Sequence, residues 1–238
     1  MKQKHSMFDS VRPGMRFYSL EEQVEILQRG IYLMQEWTGR RPIAHRSGGY
    51  HLNQDTITAL SRVGIRLDSS MFHGHRNVEL CWSRNALRLK DGILELPVTN
   101  YQMTPRFRFG PLSRQGKTAV VKTQADYCQL RELLQFVEFA RRSGTRFVNL
   151  FLHSYSFLRF DKSFTHFEPD YAELATFDRY LSALTARGDV RQLTMVEFLE
   201  ELDAGRLPLA VEDDAPSFTR SYGPVSAMKE LWRKKRYG

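Results

Sequence analysis

Cysteine is nearly absent: Cys81 and Cys128 are the only two among 238 residues. With no CxxC pair and no even set of four or more, a disulfide framework is excluded as the basis of the fold, and nothing in the cysteine usage calls for an oxidising compartment. Long apolar runs are missing too. The most apolar stretch, residues 147–160, is broken by Asn149, His153, Ser154 and Arg159, short of the roughly 18 uninterrupted apolar residues of a membrane span. The opening Met1-Lys2-Gln3-Lys4-His5-Ser6 is basic, but Asp9, Ser10 and Arg12 interrupt the apolar run that a secretory leader needs. The expectation is a chain without a membrane span, cytoplasmic as written. Acid is in deficit as well, 27 Asp and Glu against 35 Lys and Arg, for a formal charge of +8. A hydrophobic fraction of 42% is an ordinary globular balance and excludes disorder as the general state.

What is present is an alternation of helix and strand signals. Leu20, Val24, Leu27, Ile31 and Met34 recur at three- and four-residue steps, on one helical face. Ser19 and Glu22 form a capping box ahead of them, and Gly39 stops the helix. A short strand is predicted over 41–45, a helix over 54–63 after Asn53 with Gly64 as its stop, and a strand over 65–68. The beat returns as helix 126–142, Gly144 and strand 146–152, then as helix 170–186, Gly188 and strand 190–193. Residues 92–98 read as another strand, 105–116 as a basic loop, and Thr194 with Glu197 caps a last helix through Leu202. Such alternation favours a parallel sheet or barrel with helices outside, and functional groups gather at the C-terminal ends of its strands.

That rule selects His45 and Arg46, Asp68 and His153, each at the end of a predicted strand. His153 leaves an apolar run and offers an imidazole, the side chain suited to general acid or base work, or it is a core histidine satisfied by one backbone bond. Asp68 is suited to hold an imidazolium, or to cap a turn with Ser69 and Ser70. Arg46 precedes Ser47-Gly48-Gly49-Tyr50, a turn where backbone amides can approach a ligand closely.

In order along the chain, His45-Arg46-Ser47-Gly48-Gly49-Tyr50-His51-Leu52-Asn53, Leu60, Gly64-Ile65, Asp68-Ser69-Ser70 and Leu150-Phe151-Leu152-His153 resemble the polysaccharide deacetylase family, the NodB-type carbohydrate esterases. The resemblance covers residues 19 to 155 and implies a distorted or incomplete (β/α) barrel acting on an N-acetylated sugar of a cell-surface or envelope polysaccharide. It also implies zinc or another divalent metal that activates water, with His153 as general acid, Asp68 as its electrostatic partner, Arg46 as partner of the catalytic base, and Gly48, Gly49 and Tyr50 in substrate binding. The family's first motif, an Asp-Asp pair, does not occur upstream of Arg46. Its second is only echoed, by His5-Ser6-Met7-Phe8-Asp9, which makes His5 the candidate metal ligand. A chain beginning inside a longer protein accounts for this. So does a metal-free relative that binds carbohydrate without catalysis, or a circular permutation that places Asp213-Asp214 last.

Other clusters carry weaker signals. His73, His75 and Cys81 offer three zinc donor types, or a loop with incidental histidines. Asp161, His166 and Glu168 line the same mouth as His153 or simply solvate a loop. Arg106, Arg108, Arg114, Lys117 and Lys122, with the tail 232–237, hold much of the positive charge. No helix-turn-helix, zinc-finger or RNP-like pattern accompanies them, so nucleic acid is the lesser partner after carbohydrate. The domain is expected over 1–210, followed by an acidic linker and basic tail over 211–238.

Overall fold

The signals at Ser19 and Gly39 act as read: helix α1 spans Leu20–Thr38, with reciprocal Ser19 and Glu22 bonds at its start and Gly39 in the left-handed region (φ 70°) at its end. These elements come from a computed structural model that describes residues 12–109, 111–123, 129–153, 155–161, 163–207 and 217–222. The chain divides into two units, one of Met1–Ser83, Leu87–Pro97 and Leu193–Leu209, the other of Arg84–Ala86, Val98–Gln192 and Ala210–Gly238.

In the first unit, α1 packs on α2 (Gln54–Arg62). Leu27 and Ile31 enter a core with Leu52, Ile57, Leu60, Val63, Ile65, Met71 and Ile93. Met34, in phase with that face, is 43% exposed, because the packed surface ends a turn before the helix does. Gln23 is buried without cost to hydrogen bonding: its Nε2 donates to Tyr18 O at 3.0 Å, and its Oε1 accepts from Thr56 Oγ1 at 2.8 Å. Four short strands form the sheet: β1 (Ala44–His45), β2 (Leu67–Asp68), β3 (Arg88–Lys90) and β4 (Ile93–Glu95), in the order β1-β2-β4-β3. The β1-β2 and β2-β4 pairs are parallel, with His45 beside Asp68 and Asp68 beside Glu95. The parallel core of the sheet is thus where three polar residues come into register. The unit's last helix, Met195–Asp203, is joined to the start of β2 by a two-pronged Arg66–Asp203 ion pair at 2.8 and 2.6 Å.

The second unit contains β5 (Asn100–Phe109), β6 (Leu112–Gln115), β7 (Ala119–Lys122), α3 (Leu130–Arg142), β8 (Leu158–Phe160), β9 (Phe167–Pro169), α4 (Tyr171–Thr185) and β10 (Ser217–Tyr222); the Met195–Asp203 helix of the first unit is α5. β5 pairs antiparallel with β6 and β7 along one edge and parallel with β10 along the other. Leu133 and Val137 of α3 pack with Tyr180 and Leu184 of α4. Tyr101 is fully buried against Phe136, and its hydroxyl donates to Phe136 O at 2.9 Å.

The class is mixed α/β, and among the described residues no sheet closes into a barrel. Four local readings differ from the outcome. Residues 105–116, expected as a loop, lie mainly in the β5–β6 hairpin, because Arg106-Phe107-Arg108-Phe109 alternates with period two despite its charge. Residues 146–150 are not in a strand; Phe151 sits in a bridge, its N–H donating to Thr123 O at 2.8 Å. Thr99 Oγ1 accepts from Asn149 N–H at 2.7 Å and donates to Phe147 O at 3.3 Å. Residues 190–193 form no strand either; they pass directly into the Thr194 cap of α5. Ser217–Tyr222, within the stretch read as linker and tail, is a strand on β5. Residues 1–11, 211–216 and 223–238, including His5, Asp9, Asp213-Asp214 and 232–237, lie outside the described residues.

Candidate functional site

The ends of β1, β2 and β4 carry a buried polar cluster. Asp68 is 0% exposed. Its Oδ1 lies 2.8 Å from His45 Nδ1 and accepts from Ser70 Oγ at 2.8 Å, while Oδ2 accepts from Ser70 N–H at 3.2 Å. Burial pushes the Asp68 carboxyl up, but the hydrogen bond and charge of His45, with interactions from Glu95 and Ser70, outweigh it and hold the group below the ordinary aspartate value. An ionised Asp68 only accepts, so the proton between the pair sits on Nδ1 and leaves Nε2 as the imidazole's other face.

Glu95, also 0% exposed, stands beside Asp68 on β4. Its Oε1 accepts from Met71 N–H at 2.9 Å, and its Oε2 makes no hydrogen bond of full geometry. Burial first, then the charge and side-chain approach of Asp68, push this carboxyl well above the ordinary glutamate range; Met71 N–H and Arg46 oppose the rise without cancelling it. Two adjacent buried carboxyls resist ionising together, and of the two Glu95 is the one whose proton affinity is raised.

Arg46 runs past the end of β1 and is clamped to the β2 turn. Its Nε donates to Ser69 O at 3.0 Å and its Nη2 to Ser69 Oγ at 2.7 Å, while Ser69 Oγ donates to Leu96 O at 2.8 Å. Ser47 N–H donates to Ser70 Oγ at 2.8 Å. The Asp-Ser-Ser turn therefore holds both the Arg46 guanidinium and the strand that presents it. Gly49 and Tyr50 follow with φ 62° and 61°. Tyr50 is buried against Phe72 and His75, with ring centroids at 5.2 and 4.9 Å, and Gly49 O accepts from Asn77 Nδ2 at 2.8 Å. The exposed part of the turn is the Gly48-Gly49 backbone.

The structure thus brings Arg46, Asp68 and the Gly48-Gly49-Tyr50 turn together. His153 belongs to the second unit. Its N–H donates to Ser156 Oγ at 2.7 Å, and its half-buried ring stacks on Tyr155 at 4.7 Å and meets Phe151 edge-on at 4.8 Å. The imidazole bonded to Asp68 in the first unit is that of His45.

Of the three loop donors, His73 Nδ1 lies 3.3 Å from Cys81 Sγ. His75 instead stacks on Phe72 at 5.7 Å, and its Nδ1 accepts from Asn77 N–H at 3.3 Å. Among the described residues no group of three or more His, Cys, Asp or Glu is placed to hold a metal ion. These residues do not fit a zinc centre by themselves. Asp161 serves the β8–β9 turn: it accepts from Ser163 Oγ, Thr165 N–H and His166 N–H, and these bonds, that of Ser163 foremost, hold its carboxyl down at about 2. Arg106, Arg108 and Arg114 lie on the β5–β6 hairpin, and Lys122 Nζ sits 3.4 Å from the Phe151 ring centroid.

Glu95 was not singled out in the sequence, although one acid inside the apolar Ile93-Leu94-Glu95-Leu96 run is the mark of a buried, purposeful carboxyl. Comparison with known proteins finds no matching family model, curated protein or solved structure. Among the described residues no helix is long and apolar enough to cross a membrane.

Proposed function

We propose that this chain is a hydrolase of the polysaccharide deacetylase type, built on a distorted or incomplete α/β barrel, that removes N-acetyl groups from a sugar of a cell-surface or envelope polysaccharide. The observation that carries the reading is the clamp of Arg46 onto the Asp68-Ser69-Ser70 turn, beside the exposed Gly48-Gly49 backbone. It gives a physical reason for the Arg and Asp motifs to occur in that order. In this reading Arg46 is a fixed cation for a carboxylate or a developing oxyanion and the glycine backbone seats the sugar; the resemblance assigns the general-acid role to His153. Asp68, wholly buried and already bonded, acts by orienting its neighbour.

The test is acetate release from N-acetylhexosamine oligomers, assayed with added zinc and with chelator. His153→Ala should lower turnover by a factor on the order of 100 or more with the fold intact. Unchanged turnover removes it as general acid. A second reading, a carbohydrate-binding relative without catalysis, is favoured by the lack of a three-donor group among the described residues. It predicts oligosaccharide binding with no acetate released.

A further inference from the structure

We propose that His45, oriented by Asp68, is the general base of the first unit, taking a proton from the attacking water at Nε2. The inference rests on the deacetylase reading for its substrate and on the geometry of three adjacent strands for its chemistry.

A neutral imidazole accepts a proton well when its far nitrogen is held by a carboxylate, which fixes the tautomer and stabilises the imidazolium that forms. His45 and Asp68 meet those terms at 2.8 Å. The side chain of His45 keeps 15% exposure while that of Asp68 has none, so the pair has one buried end and one end that reaches outward. Ser70 supplies Asp68 with two further bonds, which leaves the carboxylate no reason to swing away.

The charged groups around the pair are few. Asp68 faces His45 from β2. Glu95 faces Asp68 from β4, with an unpartnered, fully buried Oε2. Arg46 follows His45 on its own strand and is turned to Ser69. A second carboxyl whose Oε2 has no hydrogen-bond partner keeps its proton beside Asp68 and leaves Asp68 to carry the negative charge that His45 needs. Glu95 is a positioning residue in this scheme: it acts through Asp68.

The step balances within amide hydrolysis. Water oxygen bonds to the acetyl carbonyl carbon as one water proton passes to His45 Nε2. The C–N bond then breaks, its electron pair goes to nitrogen, and the nitrogen takes a proton from solvent while His45 Nε2 returns its own to solvent; the products are acetate and a free amine.

The test separates the pair from the activity. Proton NMR of the full chain should show a far-downfield imidazole Nδ1–H signal that is lost in His45→Gln and in Asp68→Asn and kept in Glu95→Gln. Infrared spectra at neutral pH should show a protonated carboxyl band that disappears in Glu95→Gln. In the acetate assay, His45→Ala should lose a factor on the order of 100 or more and recover part of it when imidazole is added. If the downfield signal is missing from the wild-type chain, or persists in His45→Gln, the pairing is overturned whatever the assay shows. If the wild type releases acetate and His45→Ala does so equally well, His45 is not the base. If the signals are present and no N-acetyl sugar is hydrolysed, it is the deacetylase reading that fails, while the His45–Asp68 pair stands.

Discussion

Two carboxyls in adjacent strands, Asp68 and Glu95, give the first unit opposite pH dependences. Asp68 is held below its ordinary value, so its contribution to stability is present above the unfolded aspartate value and is lost as pH falls through the folded one. Glu95 is held above its ordinary value, so its contribution is complete below the unfolded glutamate value and is lost as pH rises through the folded one. Glu95→Gln keeps the shape and removes the titration. Urea denaturation of the variant and the wild type at about pH 5 and about pH 9 should show the variant gaining relative stability at the higher pH; a constant difference would mean that Glu95 is not protonated in the fold. At this scale Arg46 and Asp68 were legible because the strand-end rule names them. Glu95 was not, since its effect depends on a register partner 27 residues away in sequence.

Caps and stops were the most legible features among the elements, because each is a local contest for a few backbone groups. Ser19, Asn53, Asp170 and Thr194 all accept from helix N–H groups as N-caps. Asn53→Ala should cost about 1 kcal/mol, read as a lower urea midpoint with an unchanged slope. A loss near zero would show that the helix start does not depend on the bond from Thr56 N–H to Asn53 Oδ1, at 2.9 Å. Strands were less legible. Ladders at 146–152 and 190–193 depend on a partner that the local sequence does not specify, and at Asn149 a threonine hydroxyl occupies the backbone donor instead. The Arg66–Asp203 pair joins α5 to β2, yet its side chains are 55% and 51% exposed. Arg66→Ala should therefore change stability by less than about 1 kcal/mol; a larger loss would mean that α5 depends on this pair for its docking.

For the whole molecule, the mixed α/β class followed from alternating helix and strand signals, whereas closure into a barrel depends on long-range pairing that periodicity does not carry. The β5–β6–β7–β10 sheet was the largest feature missed. The end of β5 is charged on alternate residues, Arg106 and Arg108, and β10 comes from a stretch that reads as linker. The functional account stands on Arg46, Asp68 and His45, fixed together at the ends of two parallel strands. The most direct measurement is acetate release from a panel of N-acetylhexosamine oligomers by the wild-type chain, run beside Arg46→Ala and His45→Ala. The account predicts acetate and free amine in equal amounts from the wild type, and a loss on the order of 100-fold or more in each variant. No acetate from any oligomer, with zinc or without, while the chain remains folded and binds the sugars, would contradict it.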